Sequence, residues 1–225
     1  MHLGSTMSTM SMVWMRMPGQ TWPAAAASFI GMWVVMMVAM MLPSLVPMLW
    51  RYRQVVQAAS TSRLGWLTAL VAFGYFFVWS LVGAGIFPIG ATLAAMEMAQ
   101  PVLTRYVPIV IGAIVLLAGT VQFTAWKMRQ LAVCRLTPAR GELSSDARTA
   151  WRHGLRLGLH CTYSCAGLTA ILLAFGVMNL RVMLVVTSAI TVERLVPAGA
   201  RIARAIGVIA IVAGASLMAV AVSVG

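Results

Sequence analysis

The sequence has few charged residues, and very few of them are acidic. Charged side chains make up 9% of the 225 residues, and only four residues are Asp or Glu. This scarcity excludes an ordinary soluble domain, which keeps a larger charged surface in water. It also leaves no acid-base pair for catalysis, because Glu142 and Asp146 lie together in one hydrophilic segment. We therefore do not expect the chain to be catalytic alone, and hydrolysis least of all.

Cysteine is scarce as well, and other common signals are missing. There are three cysteines, at positions 134, 161 and 165. All three fall on the cytoplasmic side of the topology given below, where thiols stay reduced, so we expect no disulfide. The absence of a Gly-rich phosphate loop argues against a nucleotide site. No short apolar core with a small-residue cleavage site follows Arg16, so we expect no cleaved signal peptide.

Long apolar runs are what the sequence does contain, and 61% of its residues are hydrophobic. Each run is of helix length, since about 20 residues cross a bilayer. The fold class is therefore predicted as all-α, a polytopic transmembrane bundle of about six spans. The predicted spans are Met17 to Trp50, Leu64 to Met96, Tyr106 to Trp126, Leu157 to Leu180, Val182 to Val196 and Ala205 to Gly225.

The basic residues predict the orientation of these spans. Lys and Arg are retained in short cytoplasmic loops. With six spans, thirteen of the sixteen basic residues fall in the first, third and fifth loops. Both termini are then non-cytoplasmic, with a Met-rich extracytoplasmic tail at 1–23 and a single transmembrane domain at 24–225 that carries a cytoplasmic loop at about 128–153. The net charge of +12 is a topology signal, and no nucleic-acid partner is expected.

Methionine is abundant in the amino-terminal tail and the first span. The tail carries Met7, Met10, Met12, Met15 and Met17, and the span includes Met36, Met37, Met40 and Met41. Thioethers are soft ligands that suit copper(I), and the tail spacing is typical of Met-rich arms that gather copper. The alternative is that these methionines are flexible apolar filler in helix packing.

A second candidate feature is the segment His160-Cys161-Thr-Tyr-Ser164-Cys165 in the fourth span. Residues four apart share a helix face, so Cys161 and Cys165 lie side by side and could bind one soft metal ion. Met40 and Met41 are predicted at the same depth, which makes a shared site possible. Alternatively, both cysteines act as small hydrophobes and His160 bonds Ser164.

Polar residues within the apolar spans form the third feature. Gln122 and Glu193 lie at membrane depth or its edge, and Asn179 lies in the turn between the fourth and fifth spans. A carboxylate at membrane depth is costly unless it is paired, and indicates function. Because Arg194 is adjacent and Pro197 follows, an interfacial anchor is an alternative for Glu193.

These motifs resemble a bacterial domain-of-unknown-function family described as predicted metal-binding integral membrane proteins. The resemblance covers about residues 31–197. Its motifs are Met32-Trp33-Val-Val-Met36-Met37-Val-Ala39-Met40-Met41-Leu42-Pro43-Ser44, Gly74-Tyr75 with Trp79, Ala118-Gly119 with Gln122 and Lys127, Cys134-Arg135, Gly158 to Cys165, Gly176-Val-Met178-Asn179-Leu180, and Glu193-Arg194 with Pro197.

The resemblance implies metal binding, a bacterial inner-membrane location and a small soluble partner protein beside the lipid bilayer. Family members often carry cysteine where Ser164 and Gln130 stand here. A metal site in this chain must therefore rely on Met or His as well as Cys. The candidate ligands are Cys161, Cys165, His160, Met36, Met37, Met40 and Met41, with copper as the expected metal.

Three functions remain open from the sequence. The first is copper(I) handling, as a conduit, holder or delivery protein that passes metal from the tail to the cysteines. The second is a membrane subunit of a copper-dependent oxidative enzyme complex with a small, lipid-soluble substrate. The third is a metal-free structural or assembly subunit in which Met and Cys only pack.

Overall fold

The fold is a bundle of α-helices. A computed structural model describes residue 14 and residues 19–57, 63–100, 106–135 and 146–224. These residues form seven long helices and contain no strand, so the predicted all-α class is confirmed. The helices are α1 Trp22–Gln57, α2 Leu64–Ala99, α3 Val107–Val121, α4 Ala125–Arg135, α5 Ala147–Phe175, α6 Leu180–Leu195 and α7 Gly199–Val224.

Four of these helices, α1, α2, α5 and α7, are long and apolar enough to cross a membrane. A fifth crossing is formed if α3 and α4 are one broken span, since the two are bent by 66°. Helix α6 has 16 residues, or about 24 Å, which is shorter than a bilayer core of about 30 Å. The count of six spans and the side of each terminus therefore remain predictions.

Two predicted regions fall partly or wholly outside the described residues. The five methionines named above for the Met-rich tail lie outside the described residues. Segment 136–145 of the predicted cytoplasmic loop also lies outside them. The first part of that loop is helical, because α4 continues to Arg135. Within the predicted third span, Tyr106 to Trp126, the helix α3 ends at Val121.

Helix α5 is central in the bundle, and glycine lets it approach α2 closely. It contacts α2, α3, α4 and α6. A Cβ added at Gly154 would lie 2.3 Å from the carbonyl oxygen of Val71, and one at Gly158 would lie 2.9 Å from that of Tyr75. Small residues four apart allow such close backbone contact. Cys161 follows one turn later, so the same contact brings it to Tyr75.

The other close helix pair, α3 with α7, uses glycines seven residues apart on both partners. A Cβ at Gly119 would lie 2.9 Å from the carbonyl oxygen of Gly207, and one at Gly214 would lie 2.8 Å from that of Gly112. Helix α1 is attached to α2 by Trp33, whose indole donates to the carbonyl oxygen of Trp79 at 2.9 Å. Both contacts fix helices around α5.

We expect Gly154→Ala to reduce the free energy of unfolding by about 1–3 kcal/mol, because its methyl group has no room against Val71. Gly85→Ala is the matched control. Gly85 lies within α2 with no heavy atom near its added methyl, and alanine favours helix by up to about 1 kcal/mol. Thermal melting of detergent-purified variants measures both. Equal melting temperatures for the two variants would contradict the close α2–α5 contact.

Candidate metal centre

The methionines of α1 face the bundle core. Met36, Met37, Met40 and Met41 are all buried. They belong to the same hydrophobic cluster as Cys161 and Cys165 of α5. Spacings of one, three and four residues place these four side chains along one stripe of a helix. Six of the seven sequence-predicted ligands are therefore together in one core.

The closest approach between the two helices is a sulfur-sulfur contact. The Sγ of Cys161 lies 4.0 Å from the Sδ of Met41. Two sulfurs that each make a metal bond of about 2.3 Å, the length found in zinc thiolates, lie at most about 4.6 Å apart. The observed separation is within that limit. These two sulfurs could therefore bind one ion with little movement of either helix.

Cys165 supplies a second thiol one turn along α5. Its Sγ donates to the carbonyl oxygen of Cys161 at 2.9 Å, and the residue is fully inside the bundle. The donors closest to one another in this core are therefore the two thiols and the thioether of Met41. Such soft ligands select copper(I) and disfavour hard cations such as magnesium.

The sulfur of Cys161 also contacts two polar side chains from other helices. The hydroxyl of Tyr75 lies 2.7 Å away, and Nη2 of Arg194 lies 2.9 Å away. A guanidinium can only donate, so the sulfur accepts that hydrogen bond. A cationic donor favours an anionic acceptor, which is the form of cysteine that binds metals.

Arg194 is the centre of a group of buried polar residues that we call the polar cluster: Ser44, Gln122, Lys127, Ser164, Glu193 and Arg194. Nη2 of Arg194 donates to Oγ of Ser164 at 2.7 Å and to the carbonyl oxygen of Cys161 at 3.2 Å. Nη1 donates to Oγ of Ser44 at 3.4 Å. Arg194 thus connects α6 to α1 and to α5.

Glu193 lies in the same cluster and is paired. Its Oε2 is 2.9 Å from Nζ of Lys127, and its Oε1 accepts from Nε2 of Gln122 at 3.0 Å. Nζ of Lys127 also donates to the carbonyl oxygen of Ser164. Glu193 and Arg194 are only 2% and 5% exposed, so the interfacial-anchor alternative for Glu193 is wrong.

His160 lies apart from the sulfurs. Its Nδ1 is 2.7 Å from Oε1 of Gln130 on α4, and its side chain is half-buried. The alternative partner, Ser164, instead donates to the carbonyl oxygen of Cys161 at 2.9 Å. The structure thus places His160 toward α4, not beside Met41. Asn179 caps the start of α6 and accepts from the backbone of Arg181 and Val182.

The donor set limits which metal could bind. Within the part of the chain that the structure describes, no three His, Cys, Asp or Glu side chains come together as a metal site. A site of three or more ligands in this core would therefore include methionine sulfur in addition to the two thiols. Copper(I) is the common biological ion that accepts such ligands.

Comparison with known proteins agrees with that chemistry. A family model described as PpoB2, copper chaperone, matches residues 30–217. The chain belongs to this copper chaperone family. A search of curated proteins and a search of solved structures each found no match. The expectation of a metal-handling family is therefore confirmed in this coarser form, with a copper-related role.

Several residues at the core of the bundle had no role assigned from the sequence. Tyr75, Lys127, Arg194 and Ser44 stood within the family motifs, but their spacing did not show that they meet. The available signal was polarity, since charged side chains inside an apolar bundle are costly without partners. The partners of these four residues lie on other helices, so only the tertiary structure identifies them.

Breaking the buried ion pair between Lys127 and Glu193 should destabilise the protein strongly. We expect Lys127→Met to reduce the free energy of unfolding by about 3–5 kcal/mol, because the carboxylate of Glu193 stays buried without its cation. The double variant Lys127→Met, Glu193→Leu should recover most of that loss. Unfolding of purified protein in mixed micelles measures both. Additive losses in the double variant would show that the two charges are not coupled.

Proposed function

We propose that the chain is a multi-pass membrane protein that holds one copper(I) ion between Cys161, Cys165 and Met41 and passes it to a protein partner. The observation that carries this proposal is the 4.0 Å contact between the sulfurs of Cys161 and Met41. It joins two helices through donors that suit copper(I), in a chain of a copper chaperone family.

Soft ligand chemistry supports copper(I) over other metals. Thioethers are neutral and remain unprotonated, so Met41 can bind at any pH, while the two cysteines bind as thiolates. Three sulfur donors leave the ion without hard oxygen ligands. Met36, Met37 and Met40 extend the buried thioethers along α1, and supply further donors by which an ion reaches Met41.

The apolar helices support a membrane location. Four of the described helices are long and apolar enough to cross a bilayer, and many of their large apolar side chains are exposed. Water would make such a surface aggregate, whereas lipid tails solvate it. In the proposed topology the Met-rich tail collects copper outside the cytoplasm, and the sulfurs of α1 and α5 receive it.

Replacing the ligands should remove copper in an interdependent way. We expect Cys161→Ser to lose the bound copper, because a hard hydroxyl replaces a soft thiolate at nearly constant volume. Adding Cys165→Ser should then cost little more, since ligands that act as one unit do not add. Met41→Leu should weaken copper binding, whereas the exposed Met96→Leu should not.

Elemental analysis and copper(I) competition titrations of detergent-purified protein, under reducing conditions, measure this. Stoichiometric copper that persists in the Cys161→Ser, Cys165→Ser double variant would place the site elsewhere, on the methionines alone. Copper absent from the wild-type protein after copper loading would favour a metal-free assembly subunit.

The proposed topology has its own test. In a cysteine-free variant, a single cysteine introduced at Ser8 should react with a membrane-impermeant thiol reagent in intact cells, and one introduced at Ser144 should not. The basic residues around position 144 predict a cytoplasmic loop. Labelling at position 144 before cell lysis would invert the orientation, and with it the direction of the copper path.

A further inference from the structure

We propose that an apolar cavity between the carboxyl-terminal parts of α2 and α5 binds one acyl chain of phosphatidylethanolamine, with Glu97 as the contact for the ammonium headgroup. The cavity has a volume of about 420 Å³, and none of its lining residues is a proposed copper ligand. The inference rests on the membrane location in the proposed function. It does not depend on the copper site.

The cavity exists because small residues line it on both helices. Beyond the glycine contact of α5 with α2, the lining positions include Gly90 and Ala94 on α2 and Ala170 and Ala174 on α5. Their side chains are too small to fill the space between the helices. The cavity opens at the surface of the bundle, where lipid would surround the protein. A lipid chain can therefore enter it from the side.

The length of the cavity matches one leaflet of a bilayer. Ile86 and Glu97 both line it, and they are 11 residues apart on α2, or about 16 Å along the helix. Half of a hydrocarbon core of about 30 Å is about 15 Å. The lining residues between these two include Ile89 and Leu93, which are apolar. The space therefore has the depth and polarity that a single acyl chain requires.

Glu97 lies at the end of this apolar cavity and gives it a charge. Its side chain is half-buried, and it has no ion-pair partner among the residues that the structure describes. A carboxylate at the edge of a membrane is costly unless it is paired. A primary ammonium supplies both a positive charge and N–H donors, and such charge-assisted hydrogen bonds are strong. The cavity therefore favours an ethanolamine headgroup over choline, which has no N–H group.

The experiment is a competition between two phospholipids that differ only in their headgroup. Purified full-length protein in detergent is incubated with equal amounts of phosphatidylethanolamine and phosphatidylcholine that carry the same acyl chains. Native mass spectrometry separates the two complexes by mass. We expect one retained lipid, and a preference of about threefold to tenfold for phosphatidylethanolamine, the range of a partly solvated charged hydrogen bond.

Two pairs of variants assign the parts of the site. Glu97→Gln should retain the lipid but lose the headgroup preference, whereas Asp146→Asn removes a carboxylate from the exposed start of α5 and should change nothing. Ala94→Leu should fill the cavity and lose the lipid, whereas Ala95→Leu adds the same side chain at the exposed neighbouring position. If Ala94→Leu does not fold, Ala174→Leu fills the cavity from α5.

Equal retention of the two lipids by the wild-type protein overturns the role of Glu97, and a lipid retained when the cavity is filled overturns the site. Light scattering tests a second copy of the chain as the occupant. A dimer that dissociates in Ala94→Leu but not in Ala95→Leu would overturn the lipid assignment. Copper content is measured in the same samples, so failure of the copper site is seen separately. Recovery of the protein in the soluble fraction without detergent would instead contradict the proposed membrane location.

Discussion

The structure depends on how three charges are kept inside an apolar bundle. Lys127 and Glu193 form an ion pair that joins α4 to α6, and Arg194 bonds groups on α1 and α5. Buried charges are tolerated only with partners and with their remaining donors satisfied. Four helices therefore contribute to one group of contacts. Helix α6, which has 16 residues, is held by the polar residues near its carboxyl end.

The surroundings of Cys161 follow from this arrangement. Cys161 follows the glycine contact of α5 with α2, and its sulfur contacts both Tyr75 of α2 and Arg194 of α6. Met41 approaches from α1 at 4.0 Å. A thiol in a purely apolar core would be an inert filler. Here the same residue type has a cation, a hydroxyl and a second sulfur around it.

Sequence reasoning predicted the helical class, the main apolar segments and the sulfur-bearing face of α1. Periodicity and composition carry that information, because side chains four apart on a helix share a face whatever surrounds them. It also predicted that Cys161 and the α1 methionines could meet. It did not find the partners of Glu193, since the adjacent Arg194 suggested a surface position. It also offered Ser164 as a partner for His160, which instead bonds Gln130 from a helix that the sequence did not predict.

The break between α3 and α4 has a consequence for how the carboxylate of Glu193 is reached. Gln122 and Lys127 are five residues apart, and on one straight helix their side chains would point about 140° away from each other. Both nevertheless bond the same carboxylate. The 66° bend between the helices makes this convergence possible, and the hydroxyl of Thr124 accepts from the backbone of Lys127 at the start of α4. If one continuous helix replaced this break, every polar residue would be kept, but Gln122 and Lys127 could not both reach the carboxylate of Glu193. The charged interior therefore depends on the three non-helical residues 122–124 as much as on the ionic side chains themselves.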